Sequence, residues 1–161
     1  MARQPERTPQ ATDEQRLERI VDLLGGERVF RRRLRTPLDA HEQLLKGLPG
    51  RSLGYFLDNL RVLRWEESVE KAIGMSLRTF QRRKDGGAKP LSNEQSGRTW
   101  KFAEILAKAT SIFGSQEEAE QWLARPAMGL DGHRPLDLLA TPAGVELVED
   151  FLERLDYGVY A

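Results

Sequence analysis

The hydrophobic positions of this chain recur at helical spacing almost from end to end. Leu17, Ile20, Val21 and Leu24 follow the i, i+3, i+4, i+7 pattern of one helix face, and Gly25-Gly26 supplies a stop. Thr12, with Gln15 three residues on, reads as a capping box for that helix. A short second helix is expected around Val29, Phe30 and Leu34, with Arg31-Arg32-Arg33 and Arg35 on its polar side and Thr36-Pro37 breaking it. A third is expected over 38–48, ending within Gly47 to Gly50. Leu53, Phe56, Leu57 and Leu60 define the next apolar stripe.

Trp65, Val69 and Ala72 then mark a helix over 65–72, closed by Gly74. Ser76 is the expected N-cap of another over 77–84, with Leu77 and Phe80 inward. Asp85-Gly86-Gly87 ends it, and residues 89–93 read as a linker. Beyond the linker, Ala103, Leu106, Ala107 and Ala109 line a helix over 100–113. Ser115 with Glu118 opens one that buries Ala119, Trp122 and Leu123. Pro135 can begin a short helix, and Thr141-Pro142 caps and starts the last one, which carries Val145, Val148, Leu152 and Leu155. No run keeps a period of two. The fold class is all-α.

Composition changes this picture little until charge is split along the chain. The 161 residues hold 25 basic and 25 acidic side chains, a formal net charge of zero. Residues 1–100 carry 20 basic against 14 acidic, a surplus of six, and residues 101–161 carry 5 against 11, a deficit of six. A basic front and an acidic back direct the search for nucleic acid to the front. The absence of cysteine excludes disulfides and thiolate chemistry. No apolar run approaches a membrane span and no secretory h-region is visible, so the expected place is the cytoplasm, at the nucleoid when bound to DNA.

Residues 65–84 have the layout of a helix-turn-helix, two short helices meeting at a glycine turn. With Leu77 and Phe80 turned inward, Ser76, Arg78, Thr79, Gln81, Arg82, Arg83 and Lys84 are the candidate DNA contacts. Arg78 and Gln81 are placed for base edges, and Arg82, Arg83 and Lys84 for phosphates. The same residues also suit a solvated basic surface helix. The back half offers no catalytic arrangement. His41 and His133 lie far apart, and Ser111, Ser115, His133 and Asp137 lack a nucleophile-elbow context. No catalytic residue, metal site or cofactor is expected. The terminal Tyr157, Gly158, Val159, Tyr160 and Ala161 either fold onto their own core or anchor in a partner's pocket.

The stretch from Ala109 onward resembles the toxin-binding domain of the Xre/MbcA/ParS antitoxins. The resemblance lies in Ile112-Phe-Gly-Ser115, Glu118-Ala-Glu-Gln-Trp-Leu123, Pro126, Leu130-Asp-Gly-His-Arg-Pro-Leu-Asp-Leu-Leu139, Thr141, Gly144, Val148, Leu152 and Asp156-Tyr-Gly-Val159. Gly74 to Lys84 is similar to the recognition segment of that family's Xre-like helix-turn-helix. The resemblance implies a tail over 1–11, a DNA-binding region over 12–97 and a toxin-binding domain over 98–161. It implies an antitoxin that is not an enzyme, blocks a RES-domain NAD⁺-consuming toxin with Tyr157 to Ala161, and represses its own operon at operator DNA, as a homodimer. Many relatives carry an arginine in the helix opening the second domain, where this chain has Trp100-Lys101-Phe102.

Overall fold

The computed structural model describes residues 13–85 and 89–158. Ten α-helices and one 3₁₀ turn follow one another in it, and no strand occurs among the described residues. Helix α1 (Asp13–Leu23) buries Leu17, Ile20 and Val21, and its chain turns at Gly25 and Gly26, both at positive φ. The Thr12 cap and the tail over 1–11 lie outside the described residues. Helix α2 (Glu27–Phe30) is a single turn, ended by Arg31 at φ 57°. The arginine run therefore sits in a loop rather than along a helix. Arg32 pairs with Asp39 at 3.4 Å and Arg33 with Glu14 at 3.3 Å.

Thr36-Pro37 starts a helix instead of breaking one. Thr36 Oγ1 accepts from Asp39 N, Asp39 accepts from Thr36 N, and Pro37 takes the first position of α3 (Pro37–Lys46). Proline costs nothing there, because a first-turn N–H has no helical partner. Helix α4 (Gly50–Asp58) buries Leu53 and Phe56 as expected. Helices α5 (Glu67–Ile73) and α6 (Leu77–Asp85) form the pair around Gly74.

Helix α7 (Asn93–Phe113) is the spine. It buries Ser96, Thr99, Trp100, Phe102, Ala103, Ile105, Leu106 and Ala109, and α1, α3, α5, α8 and α10 pack on it. It begins where a linker is expected, because Ser92 accepts from Gln95 N and caps it. The expected division between 97 and 98 falls inside this helix. One hydrophobic core runs from Leu17 to Leu152 across that point.

Helix α8 (Gln116–Ala124), the 3₁₀ turn Met128–Leu130, α9 (Pro135–Leu138) and α10 (Pro142–Asp156) complete the chain. Ser115 caps α8 and Thr141 caps α10, both as expected. Trp122 is half-buried rather than buried, tilted against Phe113 at a centroid distance of 5.3 Å and stacked on Phe151 at 5.9 Å. Gly129 lies against Phe151 so closely that a β-carbon would meet its ring at 2.1 Å. No helix among the described residues is long and apolar enough to cross a membrane.

Candidate functional site

The turn between α5 and α6 is built around Glu70. Gly74 adopts a left-handed conformation at φ 76°, and its N–H and that of Met75 both donate to Glu70 O. The Glu70 carboxylate accepts from Trp65 Nε1 at 3.0 Å and from Leu77 N at 2.8 Å. The indole hydrogen bond, then the backbone one, holds this carboxyl below its ordinary range. Trp65 itself precedes α5 and stacks on Phe80 at 5.1 Å, so the two aromatics join the helices across the turn. Ser76 caps α6, accepting from Thr79 N at 3.1 Å and donating to Thr79 Oγ1.

Leu77 does not serve the core: it is 38% exposed on the first turn of α6, and Phe80 is the buried anchor among the described side chains of that helix. Of the candidate DNA residues, Arg78, Gln81 and Arg82 are exposed. Arg83 is committed elsewhere, since its Nη2 donates to Lys89 O at 2.8 Å and Pro90 O at 2.9 Å. Lys84 lies over the Phe80 ring at 5.4 Å and 3.8 Å from Asp58. One face of α6 is thus open and cationic, while its C-terminal turn is tied back to the chain.

The C-terminal region clamps the pair and the loop leading into it at three points. Glu120 of α8 is fully buried, and its carboxylate accepts from the N–H groups of Arg61, Val62 and Leu63 at 2.9 to 3.0 Å and from Gln116 Nε2 at 2.9 Å. Arg134 binds Glu66 at 2.7 Å, Ser68 at 2.8 Å and Asp137 at 3.0 Å, tying α9 to the start of α5. Arg98 of α7 donates to Lys71 O at the end of α5. One signal for Glu120 exists in the sequence: it shares the buried face of α8 with Ala119 and Leu123.

Lys101 lies 2.9 Å from both Glu104 and Glu149. Burial alone would lower its ammonium, but the hydrogen bonds to Glu149 and Glu104 outweigh it and raise the pKa. With Arg98, Phe102, Val145 and Pro142 it lines a cleft of about 660 Å³ between α7 and α10. At the other end of α10, Tyr157 is 56% exposed and Gly158 turns at φ 71°. Val159, Tyr160 and Ala161 lie outside the described residues.

Residues 108–158 match the antitoxin Xre/MbcA/ParS C-terminal toxin-binding domain. The chain is 32% identical over 90 residues to an Antitoxin Xre of Pseudomonas putida, covering 56% of each protein. It is 32% identical over 96 residues to an Antitoxin Xre of Yersinia enterocolitica, covering 58% of this chain and 63% of that protein. A third relative, a Prs ADP-ribosylating antitoxin of Sphingobium, is 27% identical over 135 residues, which is 78% of this chain and 83% of that protein. The match to the Xre relatives spans little more than half of their length. The likeness to the Xre/MbcA/ParS antitoxins thus rests on residues 108–158 and on the 90 to 96 residues shared with the Xre relatives.

Proposed function

We propose that the chain neutralises a RES-domain, NAD⁺-consuming toxin and represses its own operon. The observation that carries the first part is the toxin-binding domain match over 108–158, with an exposed Tyr157 at its end. In this reading Tyr157 to Ala161 occupy the toxin's active site, and the family domain holds them there. The relative named for ADP-ribosylation favours a toxin that works on NAD⁺, the usual donor of that group. The acidic back half suits a toxin whose nucleotide site attracts anions, because opposite charge speeds encounter.

The second part rests on α6. Its open face presents Arg78 and Gln81 toward bases and Arg82 toward phosphate. Operator half-sites would be read by a homodimer, as helix-turn-helix proteins commonly do. Co-expression with the product of the adjacent reading frame tests the whole. The expected result is co-purification and preserved cellular NAD⁺. Removal of residues 157–161 is expected to abolish rescue of toxin-poisoned cells without changing the melting transition, and full rescue by that truncation would refute the plug.

A further inference from the structure

The end of α5, the turn into α6 and the α9–α10 joint meet at one side chain. Arg98 stands one turn after Glu94 on α7, and its Nε lies 3.3 Å from that carboxylate. Its Nη1 lies 3.0 Å from Lys71 O and 3.1 Å from Ala140 O. Lys71 belongs to the last turn of α5, where carbonyls lack helical donors. Ala140 immediately precedes the Thr141 cap of α10. Nη1 carries two hydrogens and has two acceptors, so neither carbonyl can move away without losing its donor.

The aliphatic stem of Arg98 also covers the turn. A β-carbon on Gly74 would come within 3.0 Å of Arg98 Cδ. Glycine at 74 therefore meets two needs, the positive φ and the passage of this arginine. The same side chain lines the cleft between α7 and α10. One guanidinium thus touches the helix before the turn, the turn itself and the start of the last helix.

The geometry points to Arg98 as a positioning residue for DNA recognition. It fixes how the end of α5 and the turn into α6 sit against α7 and the α9–α10 joint, so a displacement of that joint reaches the start of the reading helix through its guanidinium, while Arg134 holds the other end of α5. This rests on the reading of α6 as the DNA-facing helix. Lysine cannot replace the function in full, because its compact ammonium lacks the planar fork that serves Glu94 and both carbonyls together.

Hydrogen exchange of the full chain, free of DNA and toxin, tests the tie directly. The reporters are the amides of Gly74 and Met75, bound to Glu70 O, and of Leu77, bound to the Glu70 carboxylate. In Arg98→Ala these amides are expected to exchange about tenfold faster, with those of α8 unchanged and Arg98→Lys intermediate. Operator affinity at fixed salt is expected to fall about tenfold with the salt slope retained, since no phosphate contact is removed. Unchanged exchange at 74–77, or equal acceleration in α8, would overturn the role. So would a salt slope reduced by about one, which would place Arg98 on phosphate. A wild-type chain that binds no operator overturns the DNA-facing reading of α6 and the positioning role together. Intact wild-type binding with unchanged exchange overturns Arg98 alone.

Discussion

Helices α6 and α7 have opposite relations to the rest of the molecule. The spine α7 buries eight residues and is surrounded by five other helices, so its position follows from its own apolar face. Helix α6 buries Phe80 and exposes Leu77. Its place is set by groups that belong to other elements: the Glu70 carboxylate at its start, the Trp65 ring on Phe80, and the 89–90 carbonyls that hold Arg83. Helix α5, from which α6 hangs, is in turn tied at both ends by arginines of the C-terminal region. A helix that leaves an open, cationic face has little surface left to bury, and polar ties take over the work of a core. The basic front and the acidic back therefore share one core and are held together by these ties.

The sharpest way to break this arrangement is at Glu120. Glu120→Ala leaves the N–H groups of Arg61, Val62 and Leu63 without their acceptor in a buried site. The expected loss of stability is about 3 kcal/mol or more, with Glu120→Gln milder because it keeps one acceptor oxygen. Urea unfolding measures both, and a loss below about 1 kcal/mol for the alanine variant would mean that water replaces the carboxylate. Trp122→Ala should cost less, about 2 kcal/mol, since the ring is packed on two neighbours but only half-buried. A larger loss would place the ring in the core rather than at its edge.

Arg82 and Arg83 sharpen the contrast within α6 itself. Arg82→Ala is expected to weaken operator binding and to reduce its salt slope by about one. Arg83→Ala is expected to weaken binding with little change of slope, because Arg83 is spent on Lys89 O and Pro90 O. Equal slope changes in the two variants would show that Arg83 leaves the backbone for phosphate when DNA arrives.

Most helices of this fold are legible in the sequence because their apolar spacing and caps agree. Ser115, Thr141 and Ser76 cap where their spacing predicts, and Gly74 turns the pair. The failures have physical causes. Thr36-Pro37 carries the signature of both a break and a start, and only Asp39 closing the box decides between them. Leu77 fits the inward phase of α6, yet it is 38% exposed on the first turn of the helix. The ties through Arg98 and Arg134 leave no periodic trace and Glu120 shows only its place on the buried face of α8, since the tied residues lie 27 to 68 apart in the chain. The cationic surface of α6 is legible in the sequence, but which of its arginines are open and which are committed depends on backbone carbonyls that a sequence does not display.

The smallest effect expected is the pH dependence of the Arg134 tie. The hydrogen bond from Arg134 holds the Asp137 carboxyl below its ordinary range, helped by Ser68 against a desolvation cost. A depressed folded pKa means that the unfolded chain binds the proton more readily, so acid favours unfolding. The stabilisation is complete above the ordinary aspartate value of about 3.9 and is lost as pH falls through the lower folded value. Asp137 is partly exposed to solvent, with 44% of its side chain accessible. Screening therefore limits the contribution to below about 1 kcal/mol. Asp137→Asn should remove that share of the acid sensitivity, read as a smaller drop in urea midpoint between pH 6 and about pH 3 than in the parent chain. If the two midpoints fall in parallel, Arg134 draws its hold on α5 from Glu66 and Ser68, and Asp137 only orients the guanidinium.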